Sequence, residues 1–159
     1  MSNHTTPPID HHLLLDRLAV YLPDHGVLNL IAQYLTRCAE RGGLFWDSRK
    51  GIALGSPLSP ILGAFFLTEL DAALEQLGVF YLRFMDDIVV LAPTRWKLRA
   101  AVKVVHRTLA GLHLEIQPTK TFIGKIDKGF DFLGYHLAPG RLSLAQSTLE
   151  AFIVRAHQL

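Results

Sequence analysis

Two adjacent aspartates interrupt one of the most apolar stretches of the chain, YLRFMDDIVVLA at residues 81–92. A buried carboxylate is costly, and a neighbouring carboxylate makes its ionisation harder still. The stretch contains two β-rich runs, VFYLRF and IVVLA, that meet at Met85, Asp86 and Asp87. A tight hairpin resolves the conflict, because its strands bury their side chains while both carboxylates project from the tip. We therefore predict a hairpin with Asp86 and Asp87 at its turn.

The Asp86–Asp87 pair offers the ligand chemistry of a magnesium site. Mg²⁺ prefers oxygen ligands and is often held by one or two carboxylates. Paired metal ions activate an attacking hydroxyl and stabilise the leaving oxygen in phosphoryl transfer. The same dipeptide also suits an ordinary turn, where aspartate side chains hydrogen-bond the nearby backbone. The rest of the chain has to decide between these interpretations.

Hydrophobic spacing and capping residues predict five helices around the hairpin. Asp10, Asp24, Ser59 and Thr94 are the expected N-caps of the first four, and the fifth begins near Gln146. The predicted helices cover residues 11–21, 25–40, 60–77, 95–110 and 146–159.

Short β-rich runs follow the fourth helix. Beyond the hairpin, strands are predicted at residues 112–116, 120–124, 130–137 and 141–145, while residues 44–60 are expected to be irregular. Helices combined with hairpins, rather than alternating βαβ units, favour the α+β class. We expect one small antiparallel sheet packed on helices.

Composition limits the class of protein and the compartment in which it is expected. A chain of 159 residues can form one domain with a real core. Half of it is hydrophobic and only 19% is charged, which suggests surface meant to be covered by something else. No apolar run reaches the ~18 residues of a membrane span, and the first ten residues lack signal-peptide features. A single cysteine, Cys38, fits a reducing cytoplasm.

Charge is unevenly distributed along the chain. Residues 1–80 carry five Lys and Arg against eight Asp and Glu, whereas residues 81–159 carry eleven against six. This asymmetry suggests a polyanionic partner. Many of the cations lie on the predicted fourth helix, where they are equally explained as the solvent face of an amphipathic helix. These are Arg95, Lys97, Arg99, Lys103 and Arg107.

Four sequence blocks together resemble reverse transcriptases. RFMDDIVVLA resembles the family's tyrosine-x-Asp-Asp hairpin, with Phe84 in place of the tyrosine. Upstream, KGIALGSPLSPILGAFFL resembles the family's Gly-Ser-Pro-Leu-Ser-Pro block. Downstream, GLHLEIQPTKTFIG resembles the segment with a phosphate-side lysine, and GFDFLGYHL resembles the primer grip. The resemblance runs in family order from about Ile9 to Ala145. It is closest to enzymes of group II introns and related bacterial retroelements.

The resemblance implies DNA synthesis on an RNA template, from deoxynucleoside triphosphates onto a DNA primer, with two Mg²⁺ ions. Asp86 and Asp87 would be metal ligands, and Lys120 a phosphate-side cation or proton donor. Template and nucleotide contacts would come from Gly55, Ser56, Pro57 and Phe84, and primer contacts from Phe132, Leu133, Gly134 and Tyr135. Taken singly, each block also has an ordinary structural explanation. The Gly55–Pro57 block could be a loop before a helix, Lys120 a solvated lysine, and Phe132 and Tyr135 core aromatics. In the family, the helix after the hairpin lies behind the palm sheet, so its cations are not assigned to nucleic acid.

The family block with the third metal-binding aspartate is only partly present. Its pattern is Asp-x-x-x-Phe-Phe-x-x-Ile-x-His-x-x-Leu-Leu, and IDHHLLL matches its end with Ile9 and His11 in place. Counting back without gaps puts the aspartate position at Met1, and puts Thr5 and Thr6 at the aromatic positions. The site is therefore expected to lack one ligand.

These features predict a partial reverse transcriptase palm domain at residues 1–145 and the start of a truncated thumb helix at residues 146–159. Fingers and most of the thumb would be absent, so the isolated chain is expected to be inactive unless the missing segments or a partner chain complete it. Two alternatives remain open: a non-enzymatic nucleic-acid-binding or assembly module, and a decayed retroelement remnant.

Overall fold

The computed structural model of the chain describes residues 9–36, 38–41, 44–47, 50–52 and 56–158. Within this part of the chain there are six α-helices and seven β-strands. The strands form three separate small sheets, two of two strands and one of three. The predicted α+β class with small antiparallel sheets is confirmed, but the single sheet that we expected is replaced by three.

The chain divides into two compact units. The first unit comprises Met1–Tyr81 and Val90–Gln117, and the second comprises Leu82–Val89 and Pro118–Leu159.

The first unit is mainly helical. Its helices are α1 (His11–Tyr21), α2 (His25–Leu35), α3 (Ser59–Phe66), α4 (Thr68–Glu75) and α5 (Arg95–Gly111). Strands β1 (Cys38–Arg41) and β2 (Leu44–Asp47) pair antiparallel. Farther along the chain, β3 (Phe80–Phe84) and β4 (Asp87–Leu91) form a second two-stranded sheet.

Three of the four predicted N-caps are confirmed. The Asp10 carboxylate accepts from the backbone N–H groups of α1, and Asp24 does the same for α2. The hydroxyl of Thr94 accepts from the N–H of Lys97 at the start of α5. Each such cap satisfies a backbone donor that has no partner within the helix, and contributes about 1 kcal/mol.

Leucine and phenylalanine side chains form the core of the first unit, where α1 packs on α2 and α3, and α4 packs on α5. Completely buried examples are Leu14, Phe66, Leu70 and Leu74. Burying one such side chain contributes about 1.5–3 kcal/mol. These contacts hold together helices that are too short to be stable alone.

The second unit is richer in strand and has little core of its own. It contains β5 (Phe130–Phe132), β6 (Tyr135–Ala138), β7 (Arg141–Leu144), α6 (Gln146–Ala156) and two short 3-10 turns, Pro118–Lys120 and Ile126–Lys128. Among its described hydrophobic side chains, Ala145 alone is buried. The composition had suggested surface meant to be covered, and this unit exposes much apolar surface.

The predicted second helix is too long. It ends at Leu35, where the hydroxyl of Thr36 donates to the carbonyl of Ala32 at 2.8 Å. Residues 38–41 form β1, which pairs antiparallel with β2. The predictions of helix through residue 40 and of irregular structure at residues 44–47 were therefore wrong.

The predicted third helix is interrupted, and Ser59 is not its cap. Leu67 leaves the helical conformation and divides the segment into α3 and α4. Leu58 occupies the N-cap position of α3 without a side-chain cap, and Ser59 is the first helical residue.

Residues 112–116 and 120–124 were wrongly predicted to be strands. Leu112 caps α5, and the backbone N–H of Leu114 donates to the carbonyl of Leu109 at 2.8 Å. His113 between them has a φ of 56°. This is the Schellman arrangement that ends many helices, and it turns the chain away from an extended path.

Candidate active site

The β3–β4 hairpin places the two acids where the sequence predicted them. A two-residue connection, Met85 and Asp86, joins the strands, and Asp87 is the first residue of β4. Met85 has a φ of 55°, whereas the φ of Asp86 is not positive. A positive φ at the first turn position alone is the sign pattern of a type II′ turn, which matches the twist of a hairpin.

Both carboxylates are free to bind a ligand. Asp86 and Asp87 are exposed, and neither carboxylate hydrogen-bonds or ion-pairs with another described residue. The guanidinium of Arg83 donates to the carbonyl of Met85 at 3.2 Å and braces the turn. Phe84, at the end of β3, is 52% exposed. The hairpin therefore presents two adjacent oxygen ligands beside an accessible aromatic ring.

Lys120 lies in a different local structure from the one expected. It is the last residue of the 3-10 turn Pro118–Lys120, not a strand residue. Its side chain is exposed and makes no hydrogen bond or ion pair with any described residue. Its role on the phosphate side of a nucleotide stays a prediction.

The Phe132–Tyr135 block forms a second tight hairpin, between β5 and β6. Phe132 pairs with Tyr135, and the connection is Leu133 and Gly134, with φ of 50° and 82°. Two positive values are the sign pattern of a type I′ turn. Leu133 is 46% and Tyr135 48% exposed, so this block is not a buried aromatic core.

The register of the three-stranded sheet separates an apolar face from a polar one. Phe132, Tyr135 and Leu144 are neighbours across β5, β6 and β7 on the apolar face. On the other face, Nδ1 of His136 lies 2.6 Å from Oδ1 of Asp131. The Phe132–Tyr135 turn thus belongs to a sheet whose apolar face is largely accessible.

The Gly55–Ser56–Pro57 block precedes α3. Gly55 lies outside the described residues, while Ser56 is half-buried and Pro57 exposed. The carbonyl of Ser56 accepts from the N–H of Ser59 at 3.2 Å, which starts the turn into α3. A loop leading into a helix is what the block resemblance implied.

A family model for reverse transcriptases, described as RNA-dependent DNA polymerases, matches residues 8–137. The chain belongs to the reverse transcriptase family. The match covers most of the sequence and contains the Asp86–Asp87 hairpin, Lys120 and the Phe132–Tyr135 turn. A search of curated proteins gave no match. None of the helices in the described ranges has the length and apolarity needed to cross a membrane.

Reverse transcriptases generally use divalent metal ions, and the donors here fit such an ion only in part. The Asp86 and Asp87 oxygens are of the type that Mg²⁺ prefers. Within the described residues, however, no cluster of three or more His, Cys, Asp or Glu side chains could hold a metal ion. No described third ligand joins the pair.

His11 was noted only as a matching position, and the structure gives it a structural role. Its ring is buried, and its Nε2 atom lies 2.7 Å from the carbonyl oxygen of Gly51. Because a carbonyl only accepts, Nε2 carries the hydrogen. The N–H of Gly51 in turn donates to the carbonyl of Ile9 at 2.7 Å.

Asp10 does not replace the missing aspartate in this arrangement. Its carboxylate is engaged at the start of α1, where the N–H groups of Leu13 and His12 lie at 3.3 and 3.0 Å. Hydrogen bonding from Leu13 is the main cause that lowers its pKa below the ordinary value of 3.8. This carboxylate serves as a helix cap.

Proposed function

We propose that this chain is a reverse transcriptase palm of the group II intron or bacterial retroelement type, whose Asp86 and Asp87 bind Mg²⁺ during RNA-templated DNA synthesis. The observation that supports it most is the hairpin tip, where the exposed carboxylates of Asp86 in the turn and Asp87 beside it have no partner among the described residues. Charged groups left unpaired on a rigid turn are suited to an external cation. Residues 1–145 would form the palm, and α6 would begin the thumb.

The reaction joins the 3′-hydroxyl oxygen of a DNA primer to the α-phosphorus of a deoxynucleoside triphosphate, and pyrophosphate leaves. Bound Mg²⁺ would lower the pKa of the attacking hydroxyl and neutralise charge on the leaving oxygen. Asp86 and Asp87 position that charge, and Lys120 supplies a cation or proton on the phosphate side. Their contribution is electrostatic stabilisation where negative charge develops.

Substrate positioning is assigned to the two other blocks. Gly55, Ser56, Pro57 and Phe84 would contact the RNA template and the incoming nucleotide. Phe132 to Tyr135 would hold the primer, with Leu133 and Tyr135 accessible at the turn. Correct positioning can contribute as much to the rate as the metal ions do.

The third carboxylate is assigned to a partner chain or to sequence other than residues 1–159. In the gap-free family register its position falls on Met1, and Asp10 is engaged as a helix cap. The 159-residue chain alone should therefore give no primer extension on an RNA template with Mg²⁺. Its single cysteine fits action in a reducing cytoplasm.

The decisive experiment measures primer extension by a repaired protein, with a family fingers segment and aspartate strand before Ile9 and a thumb after Leu159. Extension should appear, and Asp86→Ala should reduce it by about a thousandfold or more, because a metal ligand is lost. Asp127→Ala is the matched control, since Asp127 is an exposed acid in a 3-10 turn of the same unit.

Three outcomes would contradict the proposal. Extension by the unrepaired chain would mean that the residues already present complete the site. A folded but inactive repaired protein would favour a non-enzymatic nucleic-acid-binding or assembly module. Equal losses in Asp86→Ala and Asp127→Ala would remove the assignment of the metal ligand.

A further inference from the structure

The exposed side of α5 carries a continuous row of cations. Arg95, Arg99, Lys103 and Arg107 follow each other at four-residue spacing, and all four are exposed. At about 1.5 Å per residue, neighbouring members are about 6 Å apart along the axis and the row spans about 18 Å. At about 100° per residue, each member is turned about 40° from the one before, so the row occupies one side of the helix. We call these four residues the α5 cation row.

This row has no protein counter-charge among the described residues. None of its four side chains ion-pairs or hydrogen-bonds with a described residue. The sequence has no aspartate or glutamate between Asp87 and Glu115, so α5 itself supplies none. Four like charges held on one helix repel each other, and the folded state gains nothing from their alignment. An external polyanion would remove that repulsion.

The opposite side of α5 is already occupied. Ala101, Thr108 and Leu109 are buried, and the helix packs against α4. A basic amphipathic helix binds an anionic membrane by inserting its apolar face. In α5 that apolar face is packed within the first unit, so it is not available for insertion into a membrane. The cation row on the other side remains exposed to a partner.

An exposed tryptophan lies within the same side of the helix. Trp96 is 73% exposed, and the guanidinium of Arg99 lies 5.1 Å from its ring centroid. Aromatic side chains beside cations are the usual platform for single-stranded nucleic acids, since bases stack on the ring while phosphates meet the cations. With Arg99 over the ring, there is still indole surface for a base.

We propose that the α5 cation row and Trp96 form a binding surface for single-stranded RNA, separate in its residues from the polymerase blocks. Arg95, Arg99, Lys103 and Arg107 contact phosphates along one strand, and Trp96 stacks on an unpaired base. The ~18 Å row is long enough to follow a strand over several nucleotides. It requires neither Mg²⁺ nor Asp86, so it stands or falls independently of the proposed polymerase function.

Anisotropy of a labelled unstructured oligouridylate RNA, titrated with the full chain in EDTA over a range of salt concentrations, tests the surface. The double variant Arg99→Gln/Lys103→Gln should lose about tenfold or more in affinity at low salt, and its plot of log K against log salt should be flatter by about 0.7 per cation removed. The matched control is Lys125→Gln/Lys128→Gln, which removes two exposed cations outside α5. It should leave the slope nearly unchanged.

Trp96→Ala and Trp96→Phe separate stacking from charge. The alanine variant should weaken binding by roughly five- to a hundredfold, the range of one base–aromatic stack, while phenylalanine retains part of it. Circular dichroism and melting should be unchanged in all variants, because the altered side chains are exposed. Three results would each overturn the proposal. The first is an equal loss of RNA affinity in Arg99→Gln/Lys103→Gln and in Lys125→Gln/Lys128→Gln, and the second is an affinity for blunt duplex RNA equal to that for oligouridylate. The third is binding to phosphatidylserine vesicles that depends on the α5 cation row, without binding to RNA.

Discussion

The hydroxyl of Thr148 donates a hydrogen bond to the main-chain carbonyl oxygen of Gly134 over 2.9 Å. The N–H of Ala145 donates to the same carbonyl, also at 2.9 Å. The first turn of α6 is therefore tied to the type I′ turn of the Phe132–Tyr135 block. A Cβ added at Gly134 would lie 3.0 Å from the Thr148 hydroxyl, so glycine is needed both for its φ and for this close approach.

Thr148→Val should loosen this turn. Valine keeps the shape of threonine but removes the donor, so we expect a loss of about 1 kcal/mol in the free energy of unfolding. Hydrogen exchange of the Leu133–Tyr135 amides should accelerate at the same time. Thr148→Ser retains the hydroxyl and is the control. Identical exchange in the valine and serine variants would show that the hydrogen bond does not hold the turn.

Met85 bears a backbone cost at the tip of the Asp86–Asp87 hairpin. A left-handed conformation costs an L-residue about 1–2 kcal/mol, which glycine does not incur. Urea unfolding should therefore show Met85→Gly to be more stable than the parent, and Met85→Val to be less stable, because a β-branched side chain suits this conformation least. A destabilised glycine variant would mean that packing of the Met85 side chain outweighs the strain.

The end of α5 gives a test of where the helix stops. His113 occupies the left-handed position, which costs an L-residue about 1–2 kcal/mol, and the greater backbone freedom of unfolded glycine offsets about 0.5–1 kcal/mol of that cost. His113→Gly should therefore raise the free energy of unfolding by up to about 1 kcal/mol. Gly111 is still helical and has nothing within 4 Å of an added Cβ, so Gly111→Ala should also stabilise. If Gly111 were the stop residue, alanine would destabilise, and thermal melting of the two variants distinguishes these cases.

His11→Ala should destabilise the first unit. It leaves the carbonyl of Gly51 without its side-chain donor, at an expected cost of about 1–3 kcal/mol in chemical denaturation. His11→Gln can place an amide N–H near the position of Nε2 and should recover part of the loss. An alanine variant as stable as the parent would show that the contact is dispensable.

Asp10 makes stability depend on acid pH. Its pKa is lowered in the folded state, so its contribution is complete above the unfolded value, near 3.8, and is lost as the pH falls through the lower folded pKa. Asp10→Asn keeps a capping oxygen but does not titrate. The parent should lose melting temperature below about pH 4 more steeply than Asp10→Asn. Parallel curves for the two proteins would contradict the link between this carboxylate and the cap.

The helix caps and the Asp86–Asp87 hairpin could be predicted from the sequence because they depend on neighbouring residues. Asp10, Asp24 and Thr94 cap helices through hydrogen bonds that span two or three residues, so the stretch around each cap was enough to identify it. The Asp86–Asp87 hairpin was equally local, since two β-rich runs flank a short polar turn. The family blocks are contiguous too, and the family match agrees with their order.

Tertiary structure decided what depends on distant partners. The sequence could not show that residues 38–41 leave α2 to pair with residues 44–47, because helical spacing continues through the break. Nor could it show that His11 binds the Gly51 carbonyl, 40 positions away, or that Thr148 holds Gly134. Each contact satisfies a backbone group whose partner is chosen by packing. The blocks therefore indicated the family. The contacts that hold the Phe132–Tyr135 turn and the start of α1 in place could be seen only in the folded chain.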